Sequence, residues 1–591
     1  MRLALFVHIN TLGVLVSSTS APAVYIHELT IENFRGIKSF QDRFDTGLNA
    51  IIGAGDNGKT TVLDALAVLF HPNWSLNLTD NDFYDGNPEK NPILIRATIA
   101  NPPEELTSDK AFFEYLRGID HDTGEIVDEP DDHTPALTCE LTVGADFEPI
   151  WKIVCDRHSD GVALSAARRQ RFGVRRIDAS THHLKWVPNS ALHQLSEKPD
   201  GKSADTVLRE VSRTARTAAK TGLTPFDKSI KSITDQARLL RAASDSSSFS
   251  AELDADLTAL TRGSISLHMD DLPVGRVGLG SRRLVTIGVQ SLAQSGAHIL
   301  LIDELESGLE PHRTRHLIRY LQRTDDRQII LTTHSPSVVR ELSYNQLKIA
   351  RRTPILRTTD GSSAGGAVTL ISPPEEAQGT IRTHTDGFLA PRVLICEGAT
   401  EVGFIRGLCN RLELDDPARM SVVAPLDAGG DSKMVAPALV FQNLGYTVGV
   451  FCDFDRPKTD LSALDHTDIT LLRCDQGKAI EQQVLGTLTA DGIHATIQYA
   501  ISEVTRAVVI SSLDSAQVPS DVRNAFVDNQ TVDNPVQYQS HIAHAAGKGS
   551  WFKQVGRGEK LAEIVLDAQL TTMTEELQTF LDKLRNWCAP A

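Results

Sequence analysis

Apolar and polar positions alternate along this chain in two ways, which together predict an α/β protein. From Val24, the segments VYIHELTIENF and LNAIIG have the pattern of strands, and an apolar periodicity of three to four residues then predicts a helix through Phe70. Between about Pro92 and Arg176, segments such as LTCELTVG and EPIWKIVCDR are separated by acidic turns that contain proline, which indicates further strands. The first part of the chain is therefore predicted to be rich in β-structure.

The pattern becomes helical in the middle of the chain and then returns to strands. In ADTVLREVSRTARTAAK and FDKSIKSITDQARLLRAAS, apolar residues recur at helical spacing, so residues 175–262 are predicted to form a helical insertion. The fully apolar segments AHILLIDELESGLEP and QIILTTHSP then predict two buried strands with a helix between them. We interpret them as a parallel sheet that resumes after the insertion.

A second α/β unit follows a stretch rich in Gly and Ser, TTDGSSAGGA, which we interpret as a hairpin or linker. In that unit, RVLICEG, RMSVVAPLD and TVGVFCDFD are apolar strands that alternate with helical segments. The predicted parts are an N-terminal extension at 1–23, one α/β lobe in two parts at 24–174 and 263–385, the insertion at 175–262, and a final α/β domain with a C-terminal helical extension at 386–591.

Composition is that of a multi-domain globular protein. The 591 residues exceed what one hydrophobic core usually serves, and 41% hydrophobic with 23% charged residues favours neither disorder nor a membrane bundle. A net charge of −17 argues against a protein that coats nucleic acid over its whole surface, so a nucleic-acid site would be local. Three basic clusters could form such a site, although each could equally be a solvated face. They are residues 167–176, Arg209 with Arg213, Arg216 and Lys220, and Lys548 with Lys553, Arg557 and Lys560.

The loop GAGDNGKT matches the phosphate-binding pattern G-x-x-x-x-G-K-[ST] in full. Its glycines let backbone N–H groups close around phosphate oxygens, Lys59 would reach the β and γ phosphates, and the Thr60 hydroxyl would bind Mg²⁺. The sequence therefore predicts an ATP site, and the residues of this segment that we expect to bind the nucleotide are Gly53, Asn57, Gly58, Lys59, Thr60 and Thr61.

The segment ILLIDELESGLEP supplies acidic partners for that loop. Asp303 lies where the end of a strand would present a carboxylate to the Mg²⁺ ion held by Thr60. Glu304, the next residue, is placed to polarise the attacking water. Together with the loop, this pair predicts hydrolysis of ATP as well as binding.

The order of phosphate loop, long insertion, GLGSRR, LLIDELESGLEP and LTTHSP resembles ABC-type ATPases of the SMC and RecF kind, whose two heads sandwich ATP between them. The resemblance implies that residues 278–283, including Gly280 and Ser281, form the signature loop that contacts the γ-phosphate of the opposite head. It also implies that residues 307–309 form the D-loop and that His334 is the switch histidine. GLGSRR departs from the usual signature wording.

The first 23 residues have the outline of a secretory signal peptide, with a basic start, an apolar run and an Ala-x-Ala ending. We interpret them as an extension that need not be native, because the first strand of the ATP-binding lobe follows at once and ATP is scarce outside the cytoplasm. The apolar run is too short for a membrane span. Seven cysteines without a CxxC pair also fit a reducing, cytoplasmic environment.

A second set of acidic residues follows the strands of the final domain. Glu397 ends one apolar strand and Glu401 follows four residues later, on the same face of a helix that would begin there. Asp453 and Asp455 end another strand. These carboxylates would converge at the carboxyl edge of a parallel sheet, and they suit Mg²⁺ or Mn²⁺, two of which can cleave a phosphodiester. The pattern resembles the Toprim domain of topoisomerases, primases and certain nucleases.

An ATPase of this type followed by a Toprim domain is similar to the OLD (overcoming lysogenization defect) family of nucleases, which includes the nuclease subunit of Gabija anti-phage systems. The resemblance covers nearly all of the chain from Val24. It implies that Lys553, in the tail segment KGSWFKQVGRGEKLAEIV, supports the nuclease site with Lys548 behind it. It also implies that Glu481 is a further metal ligand, with Asp475 and Asp514 as nearby alternatives.

The resemblance implies an ATP-regulated, metal-dependent DNA endonuclease that serves anti-phage defence, with the insertion as a dimerisation element. Expected partners are DNA, a second copy of the chain and a helicase-like protein. The chief alternative is a RecF-like or SMC-like DNA-repair ATPase in which the Toprim domain only binds DNA. The order of domains argues against a topoisomerase or primase. Preferred DNA, nick or double-strand break, and the sign of the ATP effect stay open.

Overall fold

The computed structural model describes residues 24–589 except 109, 111, 178–183, 187–189, 193–225, 245, 254–264, 294–297, 324–326, 355, 358–362, 417–420, 455–460 and 466. Several residues singled out in the sequence lie outside the described ranges. They are the extension at 1–23, the basic residues Arg209, Arg213, Arg216 and Lys220, and the acidic residue Asp455.

The first lobe consists mainly of strands, as its hydrophobic pattern predicts. Those that the structure describes are β1 (Tyr25–Phe34), β2 (Ile37–Arg43), β3 (Leu48–Ile52), β4 (Ile93–Ala100), β5 (Arg117–Ile119), β6 (Ile126–Val127), β7 (Thr134–Val143), β8 (Pro149–Cys155), β9 (His158–Ala163), β10 (Val174–Ile177), β11 (Phe249–Leu253), β12 (Ile265–Met269), β13 (Leu272–Pro273), β14 (Ile299–Ile302), β15 (Gln328–Thr332), β16 (Leu347–Arg352), β17 (Leu356–Arg357), β18 (Ser363–Ala364) and β19 (Ala367–Ile371).

A single mixed sheet organises this lobe. One half is parallel, in the order β10-β14-β15-β3-β16, and its strands are almost wholly buried. The other half continues through β19 and β2 into the antiparallel strands β1, β4 and β7, with β8 and β9 beside β7. Because parallel strands need covering on both faces, the continuous apolar runs found in the sequence belong to the parallel half.

Helices cover the sheet and connect its parallel strands. In this lobe the described helices are α1 (Lys59–Leu69), α2 (Glu104–Thr107), α3 (Ala166–Arg171), α4 (Asp227–Leu239), α5 (Leu279–Ala293), α6 (Pro311–Leu321), α7 (Pro336–Val339) and α8 (Gln378–Thr383). Helix α1 starts directly after Gly58, whose φ of 81° turns the chain from the loop into the helix. Helix α6 has proline at its first position, where no N–H is needed.

The insertion differs from its predicted form in two respects. Strand β10 pairs in parallel with β14 in the central sheet, so the predicted boundary between residues 174 and 175 falls inside a strand of the ATPase lobe. The described part of 175–262 also contains β11, which forms a small sheet with β12 and β13, besides helix α4. Strand β10 has only four residues, VRRI, which do not alternate between apolar and polar, so the local pattern does not show that the sheet continues past residue 174.

The second domain has a parallel sheet that contains the three predicted strands and a fourth that the sequence analysis did not predict. Its strands are β20 (Arg392–Cys396), β21 (Val423–Asp427), β22 (Thr447–Cys452) and β23 (Thr470–Arg473), in the order β21-β20-β22-β23. Its connecting helices are α9 (Ala399–Asp415), α10 (Val435–Asn443) and α11 (Ile480–Leu485). The helical extension consists of α12 (Ala490–Glu503), α13 (Arg506–Ser515), α14 (Ser520–Val527), α15 (Gln539–Lys548), α16 (Val555–Leu566) and α17 (Glu575–Cys588). The predicted fold class is therefore confirmed.

One hydrophobic core crosses the border between the two domains. It includes Ile349 of β16 in the ATPase lobe together with Val448, Val450 and Cys452 of β22 in the second domain. A separate core joins α9 and the outer face of the second sheet to the C-terminal helices. The two domains are thus packed as one body at this border. No helix in the described part of the chain has the length and apolarity that crossing a bilayer requires.

Candidate functional site

The phosphate loop between β3 and α1 has the backbone conformation of a phosphate cradle. Gly53, Asp56 and Gly58 all have positive φ, at 136°, 60° and 81°. A Cβ at Gly53 would lie only 2.8 Å from the carbonyl oxygen of Ala350, so glycine is required there by space as well as by conformation. The side chain of Asn57 donates a hydrogen bond to the same carbonyl at 2.9 Å. The loop is therefore held against β16.

Lys59 lies folded over the loop. Its Nζ donates to the carbonyls of Gly53 at 3.0 Å and Ala54 at 2.7 Å, and the residue is 5% exposed. Burial lowers the pKa of Lys59 to about 8, although the negative charges of nearby acidic residues act in the opposite direction. A bound triphosphate would add negative charge beside this buried amine.

The predicted magnesium ligands meet at the end of β14. Thr60 Oγ1 donates to Asp303 Oδ1 at 3.1 Å, and Thr332 Oγ1 donates to the same oxygen at 2.6 Å. Arg176 of β10 donates from Nη2 to Asp303 Oδ2 at 3.2 Å and also pairs with Asp64 of α1. A hydroxyl and a carboxylate beside a phosphate loop are ligands that suit Mg²⁺, so the residues present fit that ion.

Glu304 and His334 lie at the ends of neighbouring strands and are both exposed. Glu304 has a φ of 44°, and its N–H donates to Thr332 Oγ1 at 2.9 Å. The N–H of His334 donates to Glu306 Oε1 at 2.6 Å, and Thr333 Oγ1 donates to Glu306 Oε2 at 2.7 Å. Glu306 was missed by the sequence reasoning, although it follows Glu304 by two residues. It fixes the segment that carries His334.

The predicted signature segment and D-loop are in contact within one chain. Gly280 and Ser281 lie in the first turn of α5, and Ser281 Oγ accepts a hydrogen bond from Arg313 Nη1 at 2.9 Å. A Cβ at Gly308 would lie 2.6 Å from Leu279 Cγ, so the Leu279 side chain covers this glycine. Leu279 is 55% exposed. The segment therefore presents an apolar side chain to the surface beside Gly280.

The second site is formed by residues at the carboxyl edge of the second sheet. Glu397 directly follows β20, Glu401 lies in the first turn of α9, Asp453 directly follows β22 and Glu481 lies in the first turn of α11. Glu401 and Glu481 are buried, with 5% and 4% exposure. Four of the five carboxylates predicted for this site are thus brought to one edge, and the fifth, Asp455, lies outside the described residues.

Main-chain N–H groups hold three of these carboxylates. Glu401 Oε2 accepts from the N–H of Gly398 at 2.9 Å, and Glu397 Oε2 accepts from the N–H of Asp453 at 3.2 Å. Asp453 Oδ1 accepts from the N–H of Ile480 at 2.8 Å. The acids are therefore oriented by the backbone of the segments that follow β20, β22 and β23. Among the described residues, no three His, Cys, Asp or Glu side chains are already arranged as a metal site.

Burial and mutual repulsion raise the pKa of Asp453 and of Glu401 well above the ordinary carboxyl range. Burial is the larger cause for both residues. The negative charges of Glu397 and Glu481 then act on each of them. Buried, mutually repelling carboxylates of this kind fit divalent cations, because a cation supplies the charge that the site lacks.

The structure separates Glu481 from its two alternatives. Glu481 interacts electrostatically with both Asp453 and Glu401. Asp475 accepts hydrogen bonds from Lys478 Nζ and Gln483 Nε2, each at 3.0 Å, and hydrogen bonding to these groups lowers its pKa.

Asp514, the other alternative, pairs with Arg523 on the surface. Of the three acids, Glu481 is therefore the one whose charge acts on the buried carboxylates.

Two lysines of the tail flank the carboxylate edge. The carbonyl of Phe552 accepts from Thr400 Oγ1 at 3.3 Å, which places Lys553, the next residue, beside the first turn of α9. A Cβ at Gly547 would lie 3.8 Å from Glu481 Oε2, which places Lys548 on the other side. Both lysines are exposed. Cys474 was not anticipated at this site, and its thiol lies 3.9 Å from Asp453 Oδ1.

Two arginines of the basic cluster at 167–176 make contacts inside the protein, and a nucleic-acid surface formed by the cluster stays a prediction. Arg169 is 2% exposed, lies 3.7 Å from the centre of the Trp151 ring and donates to the carbonyls of His71, Leu164 and Asn73. Arg176 faces Asp303, as described above. Charge runs in sequence do not reveal that arginines can be buried against main-chain carbonyls and aromatic rings.

Three family models match segments of this chain. One described as "AAA ATPase domain" matches residues 25–122, and one described as "AAA domain, putative AbiEii toxin, Type IV TA system" matches residues 176–340. A third, described as "Overcoming lysogenization defect protein-like, TOPRIM domain", matches residues 388–455. The chain therefore joins an AAA-type ATPase lobe to an OLD-like Toprim domain, which is the arrangement of OLD-family ATPase and Toprim nucleases and confirms the resemblance.

Solved structures of SMC head domains are similar to part of this chain. The SMC head bound to the C-terminal winged-helix domain of ScpA has 14% identity and a TM-score of 0.37, over 59% of this chain and 98% of that one. The Pyrococcus furiosus SMC head with an extended coiled coil, bound to the C-terminal domain of ScpA, has 12% identity and a TM-score of 0.37, over 61% and 99%. The Thermotoga maritima SMC head has 12% identity and a TM-score of 0.29, over 59% and 99%. Curated protein sequences gave no match.

Proposed function

We propose that this protein is an ATP-regulated, metal-dependent DNA endonuclease that hydrolyses phosphodiester bonds at the Toprim edge. The observation that carries the proposal is the set of four carboxylates, Glu397, Glu401, Asp453 and Glu481, gathered at one sheet edge and coupled by charge. Such a set would bind Mg²⁺ or Mn²⁺, which when bound would activate a water and stabilise the leaving oxygen. Asp455 is proposed as a further ligand.

The carboxylates and lysines at this edge would have different roles. Glu397 and Asp453, at the ends of adjacent strands, and the buried Glu401 and Glu481 would hold the cations. Lys553, exposed beside α9, would stabilise the charge that develops on the phosphate in the transition state. DNA carries the phosphodiester that such a site accepts, and the exposed Lys548 and Lys553 give the rim local positive charge although the net charge of the chain is −17.

The ATPase lobe would act through a dimer of the chain. Lys59, Thr60 and Asp303 would bind Mg·ATP, and Glu304 would polarise the water. Gly280 and Ser281 would contact the γ-phosphate bound by a second copy, since the Leu279 surface beside them is available for such a contact.

A role in anti-phage defence and a cytoplasmic location are part of the proposal, and seven buried cysteines without disulfide bonds agree with a reducing compartment. The helicase-like partner stays a prediction from the resemblance.

Cleavage of supercoiled plasmid tests the proposal. Purified protein should cut the plasmid with Mg²⁺ or Mn²⁺, and the Asp453→Asn and Glu481→Gln variants should not. Asp514→Asn is the matched control, because it removes a tail carboxylate that pairs with Arg523 on the surface. If neither ion supports cutting by the wild type while ATP hydrolysis is intact, the protein is better described as a repair-type ATPase whose Toprim domain only binds DNA. The ratio of cutting with and without ATP gives the sign of regulation.

A further inference from the structure

Strand β16 contacts the phosphate loop directly. It pairs in parallel with β3, the strand that leads into the loop. The carbonyl of Ala350 accepts from Asn57 Nδ2 at 2.9 Å and lies against Gly53. Arg352 donates from Nη1 to the carbonyl of Asp56 at 3.2 Å. A change in the loop on binding nucleotide therefore acts on this end of β16.

Arg351, between these two contacts, reaches into the Toprim domain. Its guanidinium carbon lies 3.5 Å from the centre of the Tyr446 ring, at cation–π distance. Its Nε and Nη2 donate to the carbonyl of Leu444 at 3.3 and 3.2 Å. Tyr446 is 5% exposed, and its hydroxyl donates to the carbonyl of Phe388 at 2.7 Å. The Tyr446 ring is thus held in place, and Arg351 binds both this ring and the turn that precedes it.

That turn is the start of the strand that carries Asp453. Tyr446 directly precedes β22, and Asp453 directly follows it. β22 lies between β20 and β23, so it is paired on both sides. It also shares one hydrophobic core with Ile349 of β16. Six residues of strand span about 20 Å, and a close-packed interior has low compressibility and transmits strain.

We propose that Arg351 is a positioning residue through which nucleotide at the phosphate loop alters the geometry of the carboxylate edge. The proposal rests on the proposed function and adds a route for its regulation. Nucleotide would change the contact between Asn57 and Ala350, Arg351 would pass the displacement to Leu444 and Tyr446, and β22 would carry it to Asp453. Spatial continuity is the warrant, and an energetic coupling between the sites is what the experiment measures.

Hydrogen exchange on the full-length protein tests this route without any nuclease assay. In the wild type, a non-hydrolysable ATP analogue with Mg²⁺ should change exchange in peptides that cover both the phosphate loop and residues 444–453. In Arg351→Gln, the change at the loop should persist and the change at 444–453 should be lost. Arg340→Gln is the matched control, because Arg340 also donates a hydrogen bond next to the border, to Thr385 Oγ1 at 3.1 Å, but contacts neither the loop nor β22 through it. An undiminished response at 444–453 in Arg351→Gln would overturn the proposal.

A cleavage assay gives the second readout. Couplings between sites are typically about 5-fold to 150-fold, and the effect of nucleotide on cutting in the wild type should fall to near one in Arg351→Gln. Cutting without nucleotide should be unchanged, and Arg351→Lys should restore part of the effect. Tyr446→Leu removes the ring that Arg351 contacts and replaces Arg351→Gln if that variant does not fold.

If the wild type cuts no DNA, the proposed function fails while the exchange result still decides the route. If nucleotide changes nothing at 444–453 in the wild type, the route fails while the nuclease stands.

Discussion

Thr60 and Asp303 are joined by a 3.1 Å hydrogen bond across 243 positions of sequence. The hydroxyl is in the first turn of α1 and the carboxylate follows β14, and the long separation is closed by the parallel pairing of β14, β15 and β3. Thr332 and Arg176 hold the same carboxylate from the other sides. The fold itself therefore preorganises the residues that are proposed to bind Mg·ATP.

Glu304→Gln should abolish most ATP hydrolysis and spare nucleotide binding. Glu304 is exposed at the end of β14, where it can reach a water but does not hold the loop. Loss of a general base typically lowers the rate about 10²-fold to 10⁴-fold. Phosphate release measures the rate, and titration with a fluorescent nucleotide measures binding. Glu105→Gln, an exposed acid of the same lobe that pairs with Arg171, should behave as the wild type. Hydrolysis within twofold of the wild type in Glu304→Gln would remove that residue from the mechanism.

The raised pKa values of Asp453 and Glu401 predict how pH affects the metal-free protein. Unfolded carboxyls titrate near about 4, whereas these two bind protons up to higher pH in the folded state. Between those limits the folded state binds more protons than the unfolded state, so the free energy of unfolding falls as pH rises. In EDTA, Asp453→Asn should therefore gain in Tm relative to the wild type at pH 8 and lose that gain at pH 4.

Metal binding should have the opposite dependence on pH. Because ligands must be deprotonated, the affinity for Mn²⁺ should rise from pH 6 to pH 8.5 and protons should be released on binding. Isothermal titration in buffers of different ionisation enthalpy measures both quantities. Affinity independent of pH would mean that the buried pair is not where the cation binds.

Helices α9 and α16 approach so closely that glycine is required at their crossing. A Cβ at Gly403 would collide with the carbonyl oxygen of Val555, and one at Gly407 would lie 2.7 Å from Ala562 Cβ. Gly403→Ala should therefore lower stability by about 1–3 kcal/mol, the usual cost of overpacking.

Gly556→Ala is the control on α16, since nothing lies within 4 Å of a Cβ there. Alanine is favoured over glycine in a helix by about 1 kcal/mol, so this change should be neutral or stabilising. Thermal unfolding followed by circular dichroism compares the two. Equal Tm values would show that the helices separate at little cost.

The motif-bearing parts of the fold were predictable because each has a local physical reason. A phosphate loop needs glycines at fixed spacing and a strand before it, so Lys59 and Thr60 could be placed from sequence, and the apolar run before Asp303 identified its strand. Glu397 and Asp453 were predictable in the same way, since parallel strands end at one edge. These predictions depend on short segments whose chemistry and geometry agree.

The features that could not be predicted from the sequence depend on packing between distant segments. Arg169 and Arg176 belong to one basic run, yet one is buried on Trp151 and the other faces Asp303. Nothing local distinguishes them. Nothing local distinguishes Glu481 from Asp475 and Asp514 either. Glu481 interacts with the other carboxylates because the fold brings α11 to their edge of the sheet. That β10 belongs to the central sheet likewise depends on its pairing with β14, which is more than 120 positions away.

Lys553 offers the sharpest test of the nuclease chemistry that leaves the metal ligands intact. It is exposed beside the first turn of α9, so Lys553→Ala should fold normally and bind Mn²⁺ with unchanged affinity. If its charge stabilises the transition state, cutting should fall by about 10²-fold to 10³-fold, the usual loss for one such group, and Lys553→Arg should recover part of it. Lys560→Ala removes a lysine that pairs with Glu563 on the same helix, α16, and should cut as the wild type does. If Lys553→Ala instead lost DNA affinity and cutting in parallel, the lysine would hold the substrate. Loss of a ground-state contact weakens DNA binding, whereas loss of a transition-state contact lowers only the rate at which the bound complex cuts.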